Sequence, residues 1–285
     1  MIYQDKVISY KGRIVFGKRL IPYFNRVPRD YKADEACFIF LNKGEFSLRA
    51  QNKQVRLNKE NAVLGKCANY LYETDKEQRN SSDYLDLIIV LLYPSIVEEI
   101  FEFDLIDSNF QTNYNIKQVS VDKLLENFKE SINILFENPE LVDENIIKHK
   151  LKEFILILSK SQNAPSHLDF LSALFQPIDV QFKTIVKNNI YANLSLEEMA
   201  FLCHLSLSSF NRKFRQVYSE NPKKYLISKK LEKASELLKH TNTRISDIAF
   251  DVGFDSIATF NRNFTKQNGK SPSKYRSAYI DKFLK

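Results

Sequence analysis

The sequence predicts an α+β chain of two domains. A β-rich N-terminal half carries a helical hairpin, and an all-α C-terminal domain follows, built from two copies of one small unit joined by a long helix. Three observations carry this. Residues 1 to about 93 hold short runs rich in β-branched and aromatic residues, separated by turn residues. The phrase FNRKF at 210–214 returns as FNRNF at 260–264 in matched surroundings. The charge is also divided. Residues 178–285 hold 19 Lys and Arg against 10 Asp and Glu, a net of +9, while residues 1–177 hold 23 against 25, a net of −2. With 285 residues there is chain enough for two cores.

The strand-like runs are RIVFGKRLI (13–21), ACFIFL (36–41), EFSLRA (45–50), KQVRL (53–57), NAVLGK (61–66) and YLDLIIVLLY (84–93). NKGE (42–45) and QNKQ (51–54) supply turns between them. Many short strands at this spacing make a small barrel or sandwich. The longest apolar run, LDLIIVLLY, contains Asp86 and falls far short of the roughly 20 residues of a membrane span, so it reads as a buried strand. No apolar signal-peptide region opens the chain. Cys37, Cys67 and Cys203 are odd in number and widely spaced, which fits free thiols in a reducing, cytoplasmic compartment. No C-x-x-C pair exists, and His149, His167, His204 and His240 all lie outside the strand region, so no metal site is expected.

Two helices follow the strands. Over 118–137, Val121, Leu125, Phe128, Ile132 and Leu135 recur at 4-3-4-3 spacing. Over 143–160, Ile147, Leu151, Phe154 and Leu158 recur at 4-3-4, with Asn138-Pro139 breaking the chain between the two. These seams either pack on their own sheet or form a homodimer interface through 118–160. The polar, Pro-containing stretch that begins SQNAPSHLDF reads as a linker over 161–177, dividing a first domain (1–160) from a second (178–285).

The second domain repeats itself. Ser195 and Glu198 form a capping box for a helix that turns Leu196, Met199, Ala200 and Cys203 inward. After a turn at His204-Leu205, Ser206 caps a second helix, with Phe210, Phe214 and Val217 on one face and Asn211, Arg212 and Arg215 outside it. In the later copy Ile245, Ile248, Ala249 and Val252 face inward, Gly253 makes the turn, and Asp255 or Ser256 caps a helix with Phe260 and Phe264 inward and Asn261 and Arg262 outward. Asn221-Pro222 and Ser271-Pro272 each start a further helix, the first of them the long connector. Two short helices joined tightly, the second with a cationic outer face, describe a helix-turn-helix. Arg bonds both acceptors of guanine, and Asn does the same for adenine. Asn211-Arg212 and Asn261-Arg262 are therefore the candidate base readers. Lys213, Arg215 and Lys266, with the helix-start residues Ser206 and Ser256, are the candidate phosphate contacts. A basic domain beside a near-neutral one is the electrostatic footprint of nucleic-acid binding, although a lysine-rich soluble surface has the same net charge.

Residues 178–285 resemble the DNA-binding domain of the AraC/XylS family of bacterial transcription regulators. The segment RISDIAFDVGFDSIATFNRNFTKQNGKSPSKYR (244–276) carries that family's pattern at Ile248, Ala249, Gly253, Phe254, Phe260, Arg262, Phe264, Lys266, Gly269, Pro272, Tyr275 and Arg276. KKLEKASELL (229–238) resembles the linking helix. The resemblance implies base contacts at Ser208, Asn211 and Arg212 in the first unit and at Ile257, Ala258, Asn261 and Arg262 in the second. It implies double-stranded promoter DNA and RNA polymerase as partners, an activator, and a cupin-like N-terminal barrel that binds a small effector and dimerises. Two departures stand out. His204 occupies a turn position where the family usually has Gly, and Ile257 and Ala258 are apolar, which suits thymine methyls better than hydrogen-bonding edges.

Three functions compete. One is a regulator that answers to a small effector. Another is a regulator controlled by dimerisation or a partner protein. An enclosed polar cavity favours the first and a filled core the second. Phe16, Phe38, Phe40 and Phe46 are read as core residues. Arg13, Arg49 and Lys66 are candidates for an anionic effector, against ordinary solvated charge. The third function is an enzyme carrying this module, such as a DNA-repair alkyltransferase. It lacks support because Cys37 sits in a strand and Cys67 has no nearby His. No catalytic, metal or cofactor residue is assigned.

Overall fold

The computed structural model describes residues 4–30, 35–66, 68–74, 84–102, 110–176 and 180–283. It divides into two compact units, Met1–Asp179 and Val180–Lys285.

The first unit contains ten strands: β1 (Gln4–Tyr10), β2 (Arg13–Pro22), β3 (Val27–Asp30), β4 (Ala36–Lys43), β5 (Phe46–Arg49), β6 (Gln54–Leu57), β7 (Asn61–Gly65), β8 (Asn69–Glu73), β9 (Tyr84–Leu92) and β10 (Ile116–Ser120). They form two antiparallel sheets, one ordered β1-β2-β9-β4-β7-β10 and the other β3-β8-β5-β6. Among the described residues the sheets stay open and no barrel closes. Of the two architectures the sequence allows, the chain adopts the sandwich.

Why β4 and β9 lack polar alternation is now plain. Both lie inside the large sheet, and both of their faces are buried. Phe38, Phe40, Ile88 and Val90 point to one face, toward helices. Cys37, Ile39, Leu41, Leu85 and Leu87 point to the other, toward the small sheet. The run read as a buried strand over 84–93 is β9, paired with β2 and β4. No helix among the described residues is long and apolar enough to cross a membrane.

The helical layer consists of α1 (Pro94–Phe101), α2 (Lys123–Glu137), α3 (Glu144–Ser161) and α4 (His167–Phe175). The seam residues Leu125, Phe128, Ile132, Leu135, Ile147, Leu151, Phe154 and Leu158 are all buried in the core over the large sheet. Phe154 is its hub, 5.2 Å from Phe38 and 5.0 Å from Phe128 between ring centroids. The seams therefore pack on their own sheet and offer no surface to a second copy.

Two expectations need correction. Residues 118–120 are strand, not helix. β10 completes the ladder on β7, and the Asp122 side chain accepts from the Leu124 and Leu125 amides, so α2 begins at Lys123. The expected linker over 161–177 is largely structured. Ser166 caps α4, and Phe170, Leu171 and Leu174 enter the first core. The polar residues there are helix-end chemistry.

The three proposed anion contacts are engaged elsewhere. Lys66 is buried, with Nζ donating to Thr112 Oγ1 at 2.6 Å and Gln176 O at 2.8 Å. Arg49 donates to Gln54 and pairs with Glu73, and the Arg13 guanidinium lies over the Tyr93 ring. Phe16, Phe38, Phe40 and Phe46 are core, as read. Cys67 lies outside the described residues.

Phe154→Ala should destabilise the first unit by about 3–5 kcal/mol. In scanning calorimetry its transition should fall while the second unit's stays in place, because the two cores share no residue.

Candidate nucleic-acid interface

The second unit is α5 (Phe182–Asn189), α6 (Leu196–Leu202), α7 (Leu207–Tyr218), α8 (Pro222–His240), α9 (Ile245–Asp251), α10 (Ile257–Asn268) and α11 (Pro272–Phe283). The two halves of the sequence repeat fold alike. The capping box is present, with the Glu198 amide donating to Ser195 Oγ and the Ser195 amide to Glu198 Oε2. α6 then ends in a turn in which the Leu205 N–H donates to Ala200 O at 3.0 Å and the His204 N–H to Phe201 O at 3.0 Å. In the second copy the Phe254 N–H donates to Ala249 O at 3.0 Å and the Gly253 N–H to Phe250 O at 2.8 Å.

The repeated phenylalanines set the next helix. Phe210 and Phe214 are fully buried 5.7 Å apart, and Phe260 and Phe264 are fully buried 5.5 Å apart. Both pairs have an interplanar angle of 49°. The equivalent tyrosines close each core edge-on, Tyr225 at 5.5 Å from Phe214 and Tyr275 at 5.3 Å from Phe264. Pro222 and Pro272 open the helices that carry them.

With those faces committed inward, helical periodicity decides what faces out. On α7, Ser208, Arg212 and Arg215 fall at i, i+4 and i+7 and are exposed. On α10, Ala258 and Arg262 are the equivalents of Ser208 and Arg212 and are exposed, and Lys266, one turn beyond Arg262 and one position past the Arg215 equivalent Thr265, is exposed as well. Asn261 is exposed and Asn211 half-buried on the flank. Among the described residues, no ion pair or side-chain hydrogen bond engages Arg212, Arg215, Arg262 or Lys266. Lys213 lies apart from them, its Nζ 5.2 Å from the Phe182 ring centroid on α5. Ser206 and Ser256 are the N-caps, accepting from the Ser209 and Thr259 amides; Asp255 instead accepts from Asn193 Nδ2. Leu207, which the sequence reading passed over, opens α7 as Ile257 opens α10, and the two are 37% and 39% exposed. The repeat alignment already pairs them fifty residues apart.

The turns differ in what surrounds them. His204 adopts φ 54° and Gly253 φ 86°. A Cβ on Gly253 would stand 2.7 Å from Tyr191 O, so the second turn is closed to any side chain. Lys230 of α8 donates to Gly253 O at 2.7 Å, and its burial lowers the ammonium pKa. Tyr191, Asn193 and Lys230 thus tie the second turn to the connector and to the segment before α6. His204 is exposed and accommodates its side chain in the same left-handed backbone; partial burial lowers its imidazole pKa.

A tandem of helix-turn-helix units, each with an unpaired arginine on its outer face, defines a DNA-binding module. Residues 199–278 match the helix-turn-helix domain family and residues 36–170 the ExsA N-terminal regulatory domain family. Residues 199–278 thus carry a helix-turn-helix domain of the AraC type that the resemblance implied. It is 32% identical over 148 residues to an uncharacterized HTH-type transcriptional regulator, YfiF, of Bacillus subtilis, covering 49% of this chain and 45% of that protein. It is 27% identical over 130 residues to the MmsAB operon regulatory protein of Pseudomonas aeruginosa, covering 45% and 42%. The chain thus spans about half the length of the curated relatives it matches. It also aligns with the DNA-binding domain of the global transcriptional factor AdpA, solved with target DNA, at 25% identity and TM-score 0.35, over 36% of this chain and 96% of that one.

Gly253→Ala should cost on the order of 2 kcal/mol or more, from the left-handed backbone and the Tyr191 contact together. His204→Gly should leave the second unit's thermal midpoint unchanged or raise it. Thermal unfolding of the two variants checks the contrast.

Proposed function

We propose that the chain is a sequence-specific transcription regulator, expected to act as an activator in the cytoplasm. In this reading α7 and α10 enter successive major grooves on one face of promoter DNA. The observation that carries it is the matched pair Arg212 and Arg262, exposed, unengaged among the described residues and equivalent in the two repeats. Each Arg would bond guanine, and Asn211 and Asn261 adenine. Ser208, Ala258, Ile257 and the newly placed Leu207 complete the reading edges, the aliphatic ones through thymine methyls. Arg215 and Lys266 would hold phosphates, joined by the backbone amides at the helix starts beside Ser206 and Ser256. Lys213 would meet phosphate only at the flank.

Small-effector control through the first unit, and contact with RNA polymerase, belong to the same proposal. The space between the two sheets is a cavity and not a filled core, which weighs against control by a partner alone, while its mainly apolar lining departs from the polar cavity expected of an effector site. A homodimer would have to use exposed residues such as Leu124 and Ile134, since the helix seams are spent on the core. Cysteine chemistry finds no support among the described residues. Cys37 is buried, and burial pushes the Cys203 thiol up to about 12, far from a reactive thiolate.

Genomic fragments captured by the purified chain should share two half-sites about one DNA turn apart. Arg212→Ala or Arg262→Ala should each cost about 1–3 kcal/mol and relax preference within one half-site. Arg215→Ala or Lys266→Ala should weaken all sequences alike and lower the salt slope by about 1. An unchanged sequence preference in the double variant Arg212→Ala/Arg262→Ala would overturn the assignment.

A further inference from the structure

Two separate cores stand behind the two reading helices. α7 rests on a core that includes Met199, Phe210 and Phe214, and α10 on one that includes Ile248, Phe260 and Phe264. Among the described residues the two cores share no member. α8 passes from one to the other, giving Leu226 to the first and Leu231, Ala234 and Leu238 to the second. Each core therefore sets one reading helix against α8 and leaves its relation to the other helix open. Reading two grooves of one site needs that relation fixed. Half-sites one turn apart are separated by about 34 Å, so one extra base pair moves the second by about 3.4 Å along the duplex and about 35° around it. A rotation of about 6° at the end of a lever of about 34 Å covers that step.

A second connection, off the axis of α8, joins the repeats just ahead of α10. The segment before α6 meets the turn before α10. Tyr191 O lies 2.7 Å from where a Cβ of Gly253 would stand, so the two backbones are in contact. Asn193 holds a left-handed backbone, φ 51°, and its Nδ2 donates to Asp255 Oδ1. Lys230 stands where α8 leaves the first core for the second, and its Nζ donates to Gly253 O at 2.7 Å. Tyr191, Asn193, Lys230 and Asp255 belong to neither core, yet they converge on the few residues before Ile257 opens α10. A left-handed non-glycine residue persists where its surroundings over-determine it, and here the surroundings are the other repeat.

We propose that Lys230 and Asn193 are positioning residues for DNA reading: by stapling the turn before α10 to α8 and to the segment before α6, they fix the separation and rotation of the two reading helices, and so the number of base pairs the chain requires between its half-sites. This rests on the reading in which α7 and α10 enter successive grooves, and it adds a specificity for spacing that no base contact supplies.

Selection from a random-sequence duplex library by the full chain reads half-site sequence and half-site spacing in one measurement. The unaltered chain should enrich two half-sites at a single spacing. Lys230→Met keeps an apolar stem of similar length and removes the donor. Asn193→Gly removes the side-chain amide and still allows the left-handed backbone. The double variant should enrich the same two half-site sequences at several spacings. On a selected duplex, one inserted base pair should weaken the unaltered chain roughly tenfold, the scale of one hydrogen bond to a charged group, and the double variant by less than about threefold. Thermal unfolding shows whether the double variant folds. If it does not, Asn193→Gly alone carries the test and should broaden the spacing by itself. The inference fails if a folded variant keeps the single spacing, or if it relaxes half-site sequence while spacing stays sharp. It fails too if the unaltered chain already tolerates several spacings. Each of these results leaves the DNA reading standing. An unaltered chain that enriches no pair of half-sites overturns that reading, and the staple's role with it.

Discussion

The second unit depends on a steric commitment made twice. Phe210 and Phe214 on α7, and Phe260 and Phe264 on α10, each lose all exposure to a small core. Two aromatic side chains one turn apart fix the rotation of a helix about its own axis, because no other rotation buries both. Once that rotation is set, the residue two positions after the first phenylalanine lies on the far side, and in both copies it is arginine. The reading face follows from the core, which is why the phrase repeats as a block and not as isolated cations. Tyr225 and Tyr275 finish the same argument from the next helix, each edge-on to the second phenylalanine of its pair.

Two correctly rotated helices still need a fixed relation to each other, and that relation runs through Gly253. Tyr191 O occupies the space a side chain would take, and Lys230 gives its ammonium to the Gly253 carbonyl. Partly burying a lysine carries a desolvation cost, visible in its lowered pKa, and here one charge-assisted hydrogen bond at 2.7 Å offsets it. Among the described residues the first turn has no such clamp, and His204 takes the left-handed conformation with its side chain exposed. The departure from glycine is thus tolerated at His204 and would not be at Gly253.

What was legible in the sequence follows from how local each determinant is. Caps, turns and the 3.6-residue period lie within a few residues of one another, so α6, α7, α9 and α10 could be read directly, as could the buried strands β4 and β9. β1, β3, β8 and β10 could not. VPRD of β3 contains a proline, QDKVISY and IKQVS are largely polar, and each is a strand because of a partner elsewhere; β10 pairs with β7, more than fifty residues earlier. The linker reading failed because the polar residues of a helix cap look like those of a free loop. Lys66 and Arg49 looked like free surface cations because nothing local shows that a distant carbonyl or carboxylate engages them. The cavity was equally hidden, since its walls come from strands far apart in the sequence.

The two reading heads are not copies in chemistry. α7 presents Ser208, Arg212 and Arg215, while α10 presents Ala258, Arg262 and Lys266. At the serine-to-alanine position a hydroxyl that accepts or donates has become a methyl group, and Asn211 is half-buried where Asn261 is free. In the proposed reading the first helix has more hydrogen-bonding capacity along its central line, and the second relies on Arg262, Asn261 and the shape of Ile257 and Ala258. The clamp falls on the second unit, at Gly253. A head with fewer polar contacts gains most from being held in place, because apolar contacts with thymine methyls are short-ranged and lose their value within an ångström or so of displacement. In the proposed reading, rigid placement of α10 and richer polar chemistry on α7 are two complementary ways for one module to hold a single DNA site.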